Sequence, residues 1–241
     1  MELNRIYNED CLVGMRRLPD GCIDCCVTSP PYNKGEGKNS GKLVSAVKYT
    51  DYSDNKDEQD YQDFQINVLN ELARLLKKDG SIFYNHKNRY IGGRLISPLE
   101  WITKSELAIR QEIVWDRIIA SNIRGWRYWN VDERIYWLQR KDATPKELDP
   151  AFAKFGSVWR IMPEMTRNGH PCPFPQKLPD ICIASVCKAG DTVLDPFMGS
   201  GTVAVSAVKN KCNFIGFELS EEYYKASLAR VGIVQSEPSL F

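Results

Sequence analysis

The chain has 241 residues, 43% of them hydrophobic and 26% charged, with a formal net charge of +1. These values suit a single α/β domain spanning 1–241 and exclude a globally basic nucleic-acid binder, so any positive footprint must be local. No apolar run reaches the ~18–20 residues of a membrane span. "MELNRIYNED" also lacks the basic-then-apolar layout of a secretion signal, and the expected setting is cytoplasmic.

In chain order, "LNRIY" (3–7) predicts a strand, and Asp10 caps a short helix running to Leu18. "CIDCCVT" (22–28) is a short, mostly apolar run, the pattern of a central parallel strand. Three of the eight cysteines, Cys22, Cys25 and Cys26, crowd it. No second C-x-x-C pair or histidine cluster completes a zinc site, so they read as thiols packed like small apolar groups. Residues 33–58 are rich in Gly, Lys, Asn, Ser and Asp and read as a mobile loop. Tyr61, Phe64, Val68, Leu72, Leu75 and Leu76 recur at helical spacing, with Asp79-Gly80 expected to end that helix.

"SIFYN" (81–85) predicts a strand. Ser97-Pro98 is an N-cap followed by a first-turn proline, opening a helix to about Leu107. "EIVWD" (112–116) and "ERIYWL" (133–138) predict strands. "LPDICIASVCK" (178–188) predicts a helix closed by Gly190. "DTVLD" predicts a strand, "GTVAVSAVKN" a helix, "NFIGFE" a strand, and Ser220 caps a last helix. Strands alternating with helices imply a mostly parallel sheet with helices on both faces. Residues 117–169 break the alternation and are a candidate insertion.

Chemistry concentrates in two stretches. In "DTVLDPFMGSGTVAVSAVKNKCNFIGFELS" (191–220) a strand runs into Gly199-Ser200-Gly201 and a helix follows at once. Glu218 ends the next strand, 19 residues past Gly199. An acid about 20 residues beyond such a turn accepts hydrogen bonds from ribose hydroxyls. The full dinucleotide fingerprint is absent, as is the lysine of a phosphate-cradling loop, so a nucleoside without phosphates fits best.

The second stretch is "VTSPPYN" (27–33), at the end of a buried strand, where open α/β sheets bind ligands. Proline fixes φ and carries no N–H. The corner is therefore stiff and offers acceptors, the Ser29 hydroxyl and carbonyls such as that of Pro30. The Tyr32 ring lies beside them. A flat base with an amino group on its edge matches that surface. Two acceptors gripping the amine localise its nitrogen lone pair, and the base stacks on Tyr32 for ~1–3 kcal/mol. Such a base must leave the duplex at a cost of a few kcal/mol.

Together, "TSPPY" (28–32), "DPFMGSGT" (195–202) and "HPCPFPQKL" (170–178) resemble the motifs of the DNA amino-methyltransferases. Catalytic motif first and cofactor loop last is the order of that family's beta group. The resemblance covers nearly the whole chain and implies a Rossmann-like methyltransferase fold with circularly permuted motif order. It implies transfer of a methyl from S-adenosyl-L-methionine to an exocyclic base nitrogen of double-stranded DNA. By that resemblance Ser29, Pro30 and Pro31 form the corner that holds the target amine, and Tyr32 stacks on the base. Phe197, Gly199, Ser200, Gly201 and Thr202 wrap the methionine end, Asp195 meets its ammonium, and Glu218, with Leu219 beside it, takes the ribose. Asp10 and Cys11 match the adenine-contacting position, and Phe174 and Pro175 close the pocket.

Ser29 and "HPCPFP" are commoner among cytosine-N4 enzymes than among adenine-N6 enzymes, so N4-cytosine is the first expectation and N6-adenine the alternative. A related corner with Asn in place of Ser serves some RNA or protein amide methyltransferases. A non-catalytic cofactor binder is a further class, against which the intact corner speaks. Pro171-Cys172 resembles the dipeptide of cytosine-C5 enzymes. It precedes the cofactor loop here and the Glu-Asn-Val partner is absent, so Cys172 reads as a pocket-wall thiol.

For DNA contact, residues 117–141 carry six positive against two negative side chains. Arg124, Trp126, Arg127 and Trp129 of "NIRGWRYW" (122–129) are the candidates, whereas Tyr136, Trp137 and Trp159 read as core. Lys34, Lys38, Lys42 and Lys48 follow the catalytic corner, with Lys34 nearest to it, and the loop that holds them is expected to order over the flipped base or the DNA backbone. The family admits a homodimer and a cognate restriction endonuclease acting on the same site.

Overall fold

A computed structural model describes residues 2–33, 56–121, 123–144, 146–164 and 174–236. An eight-stranded sheet has the order β1-β10-β9-β2-β3-β7-β6-β8. The strands are β1 (Arg5–Tyr7), β2 (Ile23–Thr28), β3 (Leu76–His86), β6 (Leu107–Ser121), β7 (Asn130–Arg140), β8 (Val158–Arg160), β9 (Thr192–Asp195) and β10 (Asn213–Phe217). Pairing is parallel from β1 through β3, antiparallel on both sides of β7, and parallel again between β6 and β8. A separate hairpin, β4 (Arg89–Ile91) and β5 (Arg94–Ile96), follows β3.

Alternation along each strand sends successive side chains to opposite faces. Cys25, Val27, Phe83 and Phe214 pack on one face with α4 (Lys177–Val186), α5 (Thr202–Lys209) and α6 (Glu221–Ser236). Ile23, Cys26, Ile82, Tyr84 and Ile215 pack on the other with α1 (Cys11–Met15), α2 (Glu58–Leu75) and α3 (Leu99–Ile102). All of β2 is buried, as a strand covered on both faces must be. Cys25 and Cys26 are free thiols in these cores, and burial pushes both up from the ordinary thiol value. Tyr136 and Trp137 are core residues of opposite faces, and Trp159 is half-buried against the first core.

Three boundaries differ from expectation. The long helix stops at Leu75, where Leu76 turns extended at φ −73° and ψ 132°, and β3 runs through Asp79-Gly80. Gly80 serves close approach instead of a helix cap: a Cβ there would lie 2.7 Å from the Leu76 side chain and 3.1 Å from Asp24 O. The helix after Ser97 is a single turn and not a run to Leu107. Ser97 and Glu100 cap it reciprocally, Leu99 N donating to Ser97 Oγ (3.3 Å) and Ser97 N to Glu100 Oε1 (3.1 Å). Leu107 already belongs to β6, which is far longer than its apolar centre suggested. Within 117–169, β7 and β8 lie in the main sheet. The 33–58 loop falls almost wholly outside the described residues. Its ends are tied, Asn33 Nδ2 donating to Lys56 O (3.0 Å) and Lys56 N to Asn33 Oδ1 (2.8 Å).

Candidate active site

The carboxyl ends of β1, β10, β9, β2 and β3 line one edge of the sheet, and the two chemical stretches emerge there from neighbouring strands. Cys26 pairs with Leu194, and two residues on Thr28 Oγ1 donates to Asp195 Oδ1 at 2.8 Å. The corner and the glycine turn therefore leave the sheet side by side, from adjacent strand ends.

On the cofactor side, Gly199 and Gly201 adopt φ of +52° and +82°, and Gly201 is the N-cap of α5. A Cβ on Gly201 would sit 3.1 Å from Ser227 Cβ of α6, so both backbone angle and space select glycine. Glu218 holds the turn: Oε2 accepts from Gly199 N (2.7 Å) and Oε1 from Ser220 N (2.8 Å). Each oxygen keeps a further lone pair for a ribose hydroxyl, and burial raises the carboxyl above its ordinary value. Asn8 Nδ2 donates to the carbonyls of Glu218 (2.8 Å) and Leu219 (3.0 Å), joining the end of β1 to that of β10. Asp10 caps α1 through Leu12 N (2.9 Å) and Val13 N (3.1 Å). Cys11 is buried in the second core, so its thiol faces away from solvent.

Phe197 packs edge-on to Phe64 at 6.1 Å, Phe174 edge-on to Trp115 at 6.4 Å, and Pro175 is buried. One residue carries no motif label: Arg230 of α6. It donates to Thr202 Oγ1 (2.8 Å) and Gln176 Oε1 (2.8 Å), with Ser200 Oγ at 3.4 Å. It thereby ties α6 to the starts of α5 and α4.

Asp195 is buried, and that burial, only partly offset by Phe197 N (3.0 Å) and the Thr28 hydroxyl, lifts its carboxyl to about 7. Between ~4, the unfolded value, and about 7 the folded chain holds a proton that the unfolded chain has released. Stability from this group therefore falls as pH rises through that window. Asp195→Asn keeps the acceptor oxygen and removes the ionisation. The expected result is a melting temperature that gains on the wild type between pH 5 and pH 8, read from thermal melts across that range. A constant difference would contradict it.

On the corner side, Ser29 and Tyr32 meet at 2.8 Å through their hydroxyls. Tyr32 Oη donates to Glu133 Oε2 of β7 (2.9 Å), and Asn85 Nδ2 of β3 reaches Tyr32 Oη (2.7 Å), Glu133 Oε2 (3.0 Å) and Ser29 Oγ (3.3 Å). Arg117 at the end of β6 pairs with Glu133 Oε1 at 3.1 Å. Tyr61 Oη donates to Pro31 O (2.8 Å), and Pro30 is buried, so the corner is braced from beneath. His86 lies under the Tyr32 ring at 4.6 Å, and burial pushes its imidazole down to about 3. Its Nδ1 meets Lys87 O at 2.8 Å and its Nε2 meets Tyr61 Oη at 2.6 Å. Asn85, His86, Arg117 and Glu133 were absent from the expected site. Only their strands, not their roles, had a signal in the sequence.

Arg124, Trp126, Arg127 and Trp129 fall in the turn joining β6 to β7. Trp126 and Trp129 are 56% and 60% exposed, and Tyr128 between them 97%. Arg127 stacks over Tyr90 of the β4–β5 hairpin (4.6 Å), and Tyr90 meets Trp126 edge-on (5.5 Å). The positive footprint is narrower than the residue count implied. Arg117, Arg134, Arg140 and Lys141 each pair with a carboxylate, and Arg124 and Arg127 are the cations at the tip. Lys34 lies outside the described residues.

Sheet order, glycine turn and distal acid define a Rossmann-like methyltransferase with permuted motif order. A sequence profile of the N6/N4 DNA methylases matches residues 23–229, and the chain belongs to that family. It is 26% identical to the Type II methyltransferase M.Cfr9I of Citrobacter freundii, covering 96% of this chain and 89% of that one. The cytosine-N4-specific PvuII DNA methyltransferase superposes with a TM-score of 0.75 at 20% identity, over 100% of this chain and 89% of that one. The S-adenosylmethionine complex of M1.HpyAVI gives 0.67 at 21%, over 94% and 98%. Family membership carries dependence on S-adenosyl-L-methionine. The residues here fit it, with further lone pairs on Glu218 for the ribose, no side chain at Gly199 and Gly201 of the turn, and a buried carboxyl at Asp195. Among the described residues no helix is long and apolar enough to cross a membrane.

Proposed function

We propose that this chain methylates the N4 amine of a flipped-out cytosine at specific sites in double-stranded DNA. The observation that carries the reading is the corner itself: a neutral serine hydroxyl, and not a carboxylate or carboxamide, heads it beside the cofactor turn. The cofactor supplies an electrophilic sulfonium methyl. The chain's own part is to grip the amine with Ser29 Oγ and the Pro30 carbonyl, localising the nitrogen lone pair, and to stack the base on Tyr32. Glu218 and the turn from Phe197 to Thr202 fix the cofactor, with Asp195 meeting its ammonium. Arg124, Trp126, Arg127 and Trp129 hold DNA at the hairpin tip, joined by Lys34. A homodimer and a restriction endonuclease of the same specificity are the partners this reading adds, by likeness to Type II enzymes.

Tritiated S-adenosylmethionine and unmethylated duplex DNA, followed by nucleoside analysis, test it. The expected label is N4-methylcytosine. Label in N6-methyladenine would reassign the base, and label drawn off by RNA or protein in competition would overturn the DNA substrate.

A further inference from the structure

We propose that Glu133 is the positioning residue that sets the direction of the Ser29 hydroxyl, making Ser29 a pure acceptor for the target amine. The inference rests on the reading of Ser29 as the residue that grips that amine. Glu133 is only 6% exposed. Its Oε2 receives Tyr32 Oη and Asn85 Nδ2 at 2.9 and 3.0 Å, and its Oε1 receives Arg117 at 3.1 Å. With three donors converging, it stands as a carboxylate and can only accept.

The consequence travels along the chain of hydroxyls. Tyr32 has one hydroxyl proton, and Glu133 takes it. The 2.8 Å contact between Ser29 and Tyr32 is then donated by Ser29. Asn85 presents an N–H to Tyr32 Oη at 2.7 Å, and an N–H cannot accept, so the tyrosine proton has no outlet on that side. With its proton committed to Tyr32 and one lone pair accepting from Asn85 Nδ2 at 3.3 Å, Ser29 Oγ keeps a lone pair for the target amine. A base amine offers hydrogens, so lone pairs are what it needs. If the Tyr32 proton turned toward Ser29, the Ser29 proton would be released to face the amine and oppose its hydrogens. Each bond in the chain also polarises the next, strengthening Ser29 as an acceptor.

A serine and a tyrosine alone leave this direction undetermined. The carboxylate on β7 determines it, and it lies near the end of that strand which the exposed turn from Arg124 to Trp129 joins. Glu133 reaches Ser29 through Tyr32 and through Asn85, the tyrosine giving the shorter link to the serine, 2.8 against 3.3 Å.

A double-mutant cycle with Glu133→Gln and Tyr32→Phe tests this. Glutamine keeps the shape of Glu133 but presents an N–H, which lets the hydroxyl chain reverse. The expected result is a kcat lowered about 10- to 100-fold, the size of a lost charge-assisted hydrogen bond, with S-adenosylmethionine affinity and DNA KM within about twofold. In the Tyr32→Phe background, where the connecting hydroxyl is gone, Glu133→Gln should lower kcat by less than about twofold further. Glu133→Asp, which still only accepts, should retain more activity than Glu133→Gln and serves if the glutamine variant melts early. Multiplicative losses in the double variant, or an aspartate variant no better than glutamine, would overturn the proposal. Wild-type enzyme that labels no base amine would instead sink the proposed function.

Discussion

Ser29→Ala is expected to lower kcat by about 10²–10³-fold, the cost of removing one preorganised polar contact to a reacting group, while S-adenosylmethionine affinity stays within about twofold. On the proposed reading the Ser29 hydroxyl accepts from the target amine, while the glycine turn proposed to hold the cofactor follows a different strand, β9. Alanine leaves the Tyr32–Glu133–Asn85 cluster intact, because those three groups bond one another without Ser29. Tyr32→Ala should abolish turnover by a second route, loss of the stacking ring, again with the cofactor still bound. Titration of the cofactor and single-turnover methyl transfer, measured on the same preparations, separate the two quantities. Loss of cofactor binding in Ser29→Ala would move the corner from the base to the cofactor.

Arg117→Ala carries the largest expected effect on stability, about 3–5 kcal/mol, the range seen when one partner of a buried ion pair is removed. Arg117 and Glu133 are 9% and 6% exposed, so solvent does little to screen the carboxylate left behind. Replacing both partners with apolar residues, Arg117→Met with Glu133→Leu, should be less destabilising than Arg117→Ala alone, because no uncompensated charge remains. Both variants should lose turnover, since each disrupts the group that orients Tyr32. Urea unfolding at neutral pH gives the ordering. A single variant as stable as the double would mean that the pair is not energetically buried.

The parts of the site legible in the sequence are those where local backbone demands and chemistry coincide. Gly199 and Gly201 are readable because both take positive φ, and Gly201 is also crowded by Ser227. Glu218 is readable because it sits one strand further on, and Ser-Pro-Pro-Tyr because two prolines in a row restrict the backbone by themselves. Asp10 announced its cap by type and place. Asn85, Glu133 and Arg117 were silent for the opposite reason. Each is a polar residue in a strand, and its meaning comes from registers such as Tyr84 against Tyr136, which no local pattern encodes. Arg230 reaches the glycine turn across helices far apart in sequence, with only an ordinary helical arginine to signal it. Gly80 misled because a glycine after a helical run usually ends it, whereas here it admits the Leu76 side chain beside β2. The count of positive residues over 117–141 overstated the footprint because charge tallies ignore pairing.

The permuted order also bears on when during synthesis the enzyme first becomes competent. Asn4 and Asn8, which flank β1, bond to Phe214, Glu218 and Leu219, more than 200 positions later. A ribosome-bound chain that has extruded only as far as β9 owns the Ser-Pro-Pro-Tyr corner but neither Glu218 nor the partner strand of β1. The parallel half of the sheet therefore stays open between β1 and β9 until β10 is made and threads between them.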